Sequence, residues 1–466
     1  MRPSTGPLRV KGRSASPTGV TVVLALTLGV TGLGLPPARA ADDPALERPA
    51  EALAAPHLVP PDSEGDASQD SGAKPCVAGL AGPFACREVD LLAQLSLDTV
   101  SGGTGATLAS IWGWTDLESG REFALVPLSD GLAFVEVTVP TAPSVVGWMP
   151  TQTIAAPWRD VKVFDDRAYV IADGVGLHGM QVFDLRRLMT NPGGAPVMFA
   201  PDFVYYGVGF GLAGGEILGS AHTIAVNEET GFVYVVGARS TCAGGLHMVD
   251  VREIRPRFAG CFADDGYTHE VQCVVYRGPD AEHQGRELCF AANEDTITVV
   301  DVTEKRAPRQ LSRVGYEGSA YVHQAWLTED HQYLISNDEL DEIEFGHGSR
   351  SYVWDVRDVD GPRLIGVRTA ASSATDHNLY VRGDLVYEAN YRSGLRILSL
   401  DEVASGALTE VAFFDVDPTS DEPGFDGAWS VYPFFASGNV VVSGITQGLF
   451  VLRPHPRDAH QAEAER

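Results

Sequence analysis

Four histidines, His222, His269, His323 and His377, are the residues best placed to do chemistry, because each opens a short apolar strand of the same form. The strands read His222-Thr-Ile-Ala-Val, His269-Glu-Val-Gln-Cys-Val, His323-Gln-Ala-Trp-Leu and His377-Asn-Leu-Tyr-Val. Imidazole is a borderline ligand that titrates near neutrality, so four in one register could hold iron, copper or zinc. Asp160, Glu270 and Asp376 lie beside these positions and are expected to accept hydrogen bonds from ring N–H groups. A purely structural role, with each imidazole bonded to the backbone of the adjacent unit, accounts for the same spacing.

A second dense stretch runs Asn337-Asp338-Glu339-Leu340-Asp341-Glu342-Ile343-Glu344. The carboxylates of Asp338, Glu339, Asp341 and Glu342 offer the oxygen ligands that calcium needs. Asp415, Asp417, Asp421 and Asp426 form a similar loop, and neither has the spacing of an EF-hand. The default for both is a solvated acidic loop. Gly209-Phe-Gly211-Leu-Ala-Gly214 matches a dinucleotide glycine pattern but lacks the strand–turn–helix context that gives it meaning. The chain has no Gly-x-Ser-x-Gly, Walker A, His-Glu-x-x-His or Cys-x-x-Cys, which leaves serine hydrolase, NTPase, zincin and thiol-redox chemistry without support.

The elements that must position the histidines repeat along the chain. A strand ending in an acidic residue recurs as Gly131-Leu-Ala-Phe-Val-Glu-Val, Gly179-Met-Gln-Val-Phe-Asp-Leu, Gly245-Leu-His-Met-Val-Asp-Val, Thr296-Ile-Thr-Val-Val-Asp-Val and Ser351-Tyr-Val-Trp-Asp-Val. Looser copies begin at Gly394 and Gly448 and bring the total to seven. Each copy follows a strand opened by Trp or His, the tryptophan versions starting at Trp112, Trp158 and Trp429. The series covers 343 residues from Ile111 to Arg453, or about 49 per unit. All-strand units of roughly 40 to 50 residues predict an all-β fold, a seven-bladed β-propeller. Register-equivalent positions then lie on a circle about the axis, which brings the four imidazoles to one channel mouth. Trp158, Trp326 and Trp429 are expected to pack between blades.

These phrases resemble LVIVD repeats, and longer ones resemble the bacterial choice-of-anchor B family. Those include Ile111-Trp-Gly-Trp-Thr-Asp, Trp158-Arg-Asp-Val-Lys-Val, Asp265-Gly-Tyr-Thr-His-Glu, His323-Gln-Ala-Trp-Leu-Thr-Glu-Asp-His and Asp376-His-Asn-Leu-Tyr-Val. The resemblance runs from about Cys76 to Pro454 and implies an extracytoplasmic repeat protein, with no reaction attached. The four-histidine arrangement is also similar in geometry, without a shared motif, to the iron site of seven-bladed carotenoid oxygenases.

Residues 1–40 read as a signal peptide: a basic start, an apolar Val20–Leu35 and an Ala38-Arg39-Ala40 cleavage form. Residues 41–75 read as a disordered Pro/Ala/acidic spacer, 76–455 as the propeller and 456–466 as a polar tail without a visible anchor. Cleavage would leave 29 of the 34 basic residues against 62 acidic ones, a net charge of about −33. Such a field repels phosphate backbones, which argues against nucleic acid as a partner. No other stretch approaches a membrane span. Six cysteines in a secreted chain suggest disulfides, with Cys76–Cys86, Cys242–Cys261 and Cys273–Cys289 the local pairings, although spacing alone leaves connectivity open. Together these features predict a secreted or cell-surface module that binds an unknown extracellular ligand or surface partner, with a metal at the channel mouth. The alternative is an oxidoreductase-like metalloenzyme using the four histidines.

Overall fold

Short β-branched strands cut by Gly, Asp and Pro cannot bury both faces alone, so each repeat forms a small antiparallel sheet and packs against the next. The computed structural model describes residues 72–190, 193–208 and 216–455. They form seven blades of four principal strands each. The innermost strands, in chain order, are Trp112–Asp116, Arg159–Phe164, Thr223–Asn227, Glu270–Val275, Val322–Leu327, Asn378–Arg382 and Ala428–Tyr432. Consecutive inner strands touch, and the seventh touches the first. The chain is a seven-bladed β-propeller, as its period predicts.

Closure of the circle is built by pairing distant parts of the sequence. The outer strand of the seventh blade is Val89–Leu95, which runs antiparallel to Gly448–Pro454 with Val89 opposite Pro454 and Leu95 opposite Leu449. Phe84–Arg87, just before it, adds to the outer edge of the sixth blade, where Cys86 faces Phe414. The Cys76–Cys86 disulfide ties down this approach. Cys242–Cys261 and Cys273–Cys289 lie in the third and fourth blades. All three bonds join the cysteines that local spacing pairs.

The recurrent acidic residue has a local job. Asp250 ends the strand Leu246–Asp250 by accepting the backbone N–H of Arg252 at 3.2 Å, and the Arg252 guanidinium returns to the same carboxylate at 2.9 and 2.7 Å. Asp184 with Arg186 and Asp355 with Arg357 repeat the arrangement. An Asx turn of this kind stops the strand and turns the chain toward the outer strand. The pairing of third and fourth strands also shifts register at the same place in six blades, between Phe134/Val135, Met248/Val249, Val299/Val300, Val353/Trp354, Ile397/Leu398 and Val451/Leu452. These bulges increase the local twist of the outer edge. There the next blade comes close: a Cβ on Gly260 would lie 1.6 Å from the Lys305 carbonyl oxygen.

The leader, most of the spacer, the tail and the Gly209–Gly214 pattern lie outside the described residues. Among the described residues no helix is long and apolar enough to cross a membrane.

Candidate metal centre

The histidines precede or begin the inner strands of the third to sixth blades, where the backbone enters the axis. Their rings stand side by side in an arc, with centroids 4.3 Å apart from His222 to His269, His269 to His323 and His323 to His377. Trp429, Trp158 and Ser110 join the lining of the cavity they face, from the seventh, second and first blades. Its volume is about 20 Å³, room for one water-sized occupant.

The outer side of the arc is hydrogen-bonded to its surroundings. His269 Nδ1 donates to the His323 carbonyl at 3.2 Å, and His377 Nδ1 donates to the Trp429 carbonyl at 2.5 Å. A carbonyl only accepts, so in both rings Nδ1 carries the hydrogen and Nε2 keeps its lone pair in the neutral form. His222 Nδ1 donates to Asp173 Oδ2 at 3.0 Å. His323 Nδ1 is buried without a hydrogen-bond partner. Backbone bonding between units therefore exists, but it uses one nitrogen of each ring it involves.

Glu339 faces the other nitrogens. Its Oε2 is 3.9 Å from His323 Nε2 and its Oε1 is 3.7 Å from His377 Nε2, while the Tyr391 hydroxyl donates to Oε1 at 2.7 Å. His269, His323 and Glu339 each offer a ligand atom within 4.8 Å of the others, and all three residues are buried. Burial pushes Glu339 up to about 7. Burial lowers His377 to about 3 and holds His269 and His323 well below the usual imidazole range. His222 differs: burial opposes its charge, but the Asp173 hydrogen bond and the carboxylates of Asp173, Glu270 and Glu339 outweigh it and raise its pKa. Of the four histidines expected to share one site, His269 and His323 converge on Glu339, while His222 and His377 flank them in the arc outside that group. Borderline divalent metals suit two imidazoles and a carboxylate.

Below the arc the channel opens into a pocket of about 560 Å³ walled by Trp112, Trp326, Tyr380, Tyr432 and Phe434. Glu270 lines both this pocket and the histidine cavity. Trp112 lies here, and Ser110 lines the histidine cavity from the first blade in its place. The three tryptophans expected between blades all face the channel spaces, Trp326 with its ring 4.8 Å from Tyr380.

The expected acceptors are arranged differently from their order in sequence. Asp160 is taken by Lys162, whose Nζ lies 2.9 Å from both carboxylate oxygens, and by the N–H of Ile224 at 3.1 Å. Asp376 turns to Asp341 and Glu342. Asp160, although held by Lys162, still lines the histidine cavity with Glu270, which burial pushes up to about 8. Asp173, the carbonyls of His323 and Trp429, and Glu339 occupy the places around the rings. The available signal was position: Asp173 follows the strand Arg167–Ala172 and Glu339 follows Tyr333–Asp338, the same corner of their blades.

The acidic stretch is divided. Glu339 joins the histidines, whereas Asp338 is satisfied by the Tyr316 hydroxyl at 2.6 Å and by the N–H groups of Ala320 and Tyr321 at 2.9 and 2.6 Å. Among the described residues Asp415, Asp417, Asp421 and Asp426 form no group of three converging ligands. No protein-family model matches the chain, and no curated protein is significantly similar to it.

Proposed function

We propose that this protein is a secreted or cell-surface binding module: a rigid propeller that holds iron, copper or zinc at its histidine arc and binds an extracellular ligand or partner. The observation that carries the metal is the junction of His269, His323 and Glu339 within 4.8 Å beside a cavity sized for one small occupant. The pocket beside it has the volume and aromatic walls of a small-ligand site. Three disulfides suit an oxidising compartment, in line with the signal-peptide reading of residues 1–40 and the resemblance to choice-of-anchor B proteins.

One observation favours the second reading, an oxidoreductase-like metalloenzyme. Glu270 belongs to both the pocket and the histidine cavity, so a molecule in the pocket would sit next to the metal. Metal analysis of the protein purified without chelator tests the shared core of both readings. The expected result is about one equivalent of iron, copper or zinc, lost when His269→Ala and His323→Ala are combined. A folded, metal-free wild type that takes up none of the three metals removes both forms of the metal proposal.

A further inference from the structure

Asp341, Glu342 and Asp376 form a second cluster, one that sequence order does not bring together. Asp341 and Glu342 begin the short helix Asp341–Phe345, and Asp376 comes from the chain entering the sixth blade. Each offers a ligand atom within 4.8 Å of the other two, and they are 0%, 1% and 2% exposed. Three carboxylates removed from water require compensating charge or donors. Little of either is present. Outside the cluster both oxygens of Glu342 lack a hydrogen-bond partner, as do Asp341 Oδ1 and Asp376 Oδ1; within it Glu342 is close enough to Asp341 and Asp376 to share a proton with either. Asp341 Oδ2 accepts the Tyr352 hydroxyl at 2.6 Å, and Asp376 Oδ2 accepts the Arg350 N–H at 3.2 Å. Among the described residues no lysine or arginine forms a salt bridge with any of the three, although the Arg350 charge acts on Asp341.

His347 adds an observation of a different kind. Its Nδ1 donates to the Gly348 carbonyl at 3.0 Å, which leaves Nε2 as the acceptor in the neutral ring. That Nε2 has no partner and lies 3.7 Å from Asp341 Oδ2, another acceptor. Two lone pairs facing each other need a proton or a cation nearby. Ligand atoms about 2.0 to 2.6 Å from a hard cation lie at most about 5 Å apart, and the three carboxylates fall within 4.8 Å of one another.

We infer that Asp341, Glu342 and Asp376 form a buried site for a hard divalent cation such as Mn²⁺, with the His347 imidazole at its edge beside Asp341. This site is independent of the axial metal and stands if the histidine arc binds nothing. Glu339, at the axis, and Asp338, already saturated, take no part in it, so the ligands differ from those the linear acidic stretch suggests.

The test uses the full secreted chain carrying His269→Ala and His323→Ala, stripped with chelator and titrated with MnCl₂ by calorimetry and by Mn²⁺ electron paramagnetic resonance. The expected result is one Mn²⁺ per chain, with a dissociation constant below about 10⁻⁴ M. Adding Glu342→Gln should weaken binding at least tenfold while leaving the far-ultraviolet circular dichroism unchanged. The same titration of the wild type keeps the test valid if the variants do not fold, because its second Mn²⁺-binding equivalent should survive when the axial site is filled with zinc. Absence of Mn²⁺ binding overturns the proposal. So does binding untouched by Glu342→Gln, and a Glu342→Gln protein that melts higher than wild type with and without Mn²⁺ would show that the cluster merely shares protons.

Discussion

At the scale of single residues, one nitrogen of His269 and of His377 holds the blades together and the other is left facing the axis. This division has a consequence for pH. The folded pKa of His377, about 3, lies below its ordinary value of 6.5, so folding favours the neutral ring. Its contribution to stability is fully present above about pH 6.5 and is lost as pH falls toward the folded value. Between pH 7 and pH 5 the metal-free protein should lose about 2 kcal/mol from this ring alone, at about 1.4 kcal/mol per unit. Urea unfolding of wild type and His377→Asn at both pH values checks it: the variant should show a smaller pH loss. His222 has the opposite sign, since its raised pKa gives stability that is present below the unfolded value and fades as pH rises through the folded one. Replacing Glu339 by Gln should weaken metal retention about 10- to 100-fold with little change in fold, measured by competition with a chelator.

At the scale of the element, the strand-ending aspartates and outer-strand bulges repeat because every blade meets the same demand, to stop a strand and twist its edge. That demand made the repeat legible. Asp184, Asp250 and Asp355 could be read from sequence because an Asx turn involves residues two apart. The partners of the histidines could not, because a strand sends successive side chains to opposite faces. Asp376 therefore turns away from the axis although it precedes His377, and Asp160 pairs with Lys162 two residues on. Glu339 came to the histidines through a corner between strands, a placement that depends on tertiary packing. Gly260→Ala should destabilise the protein by about 2 to 3 kcal/mol, because its methyl group would collide with the Lys305 carbonyl; thermal melting checks this. Cys273→Ala with Cys289→Ala should cost about 2 to 4 kcal/mol in the same assay.

For the whole molecule, the circle is closed by one strand from near the start of the described chain. Val89–Leu95 covers the edge that Gly448–Pro454 would otherwise expose. A chain beginning after Leu95 should associate or fail to fold, whereas one beginning at Gly72 should remain a stable monomer-sized particle; size-exclusion chromatography with circular dichroism separates the outcomes. The blade number was legible from the period, but this closing strand was not, because it belongs to no complete repeat of its own. The same closure is what brings four imidazoles, spread over more than a hundred and fifty residues from His222 to His377, within stacking distance of one another.

The most direct measurement is an anomalous-difference map from crystals grown without chelator, with data collected on both sides of the iron, copper and zinc absorption edges. The account predicts a peak between the imidazoles of His269 and His323 and the Glu339 carboxylate, vanishing below one of those edges. Well-ordered imidazoles around a water, or around nothing, after soaking in all three metals would contradict it.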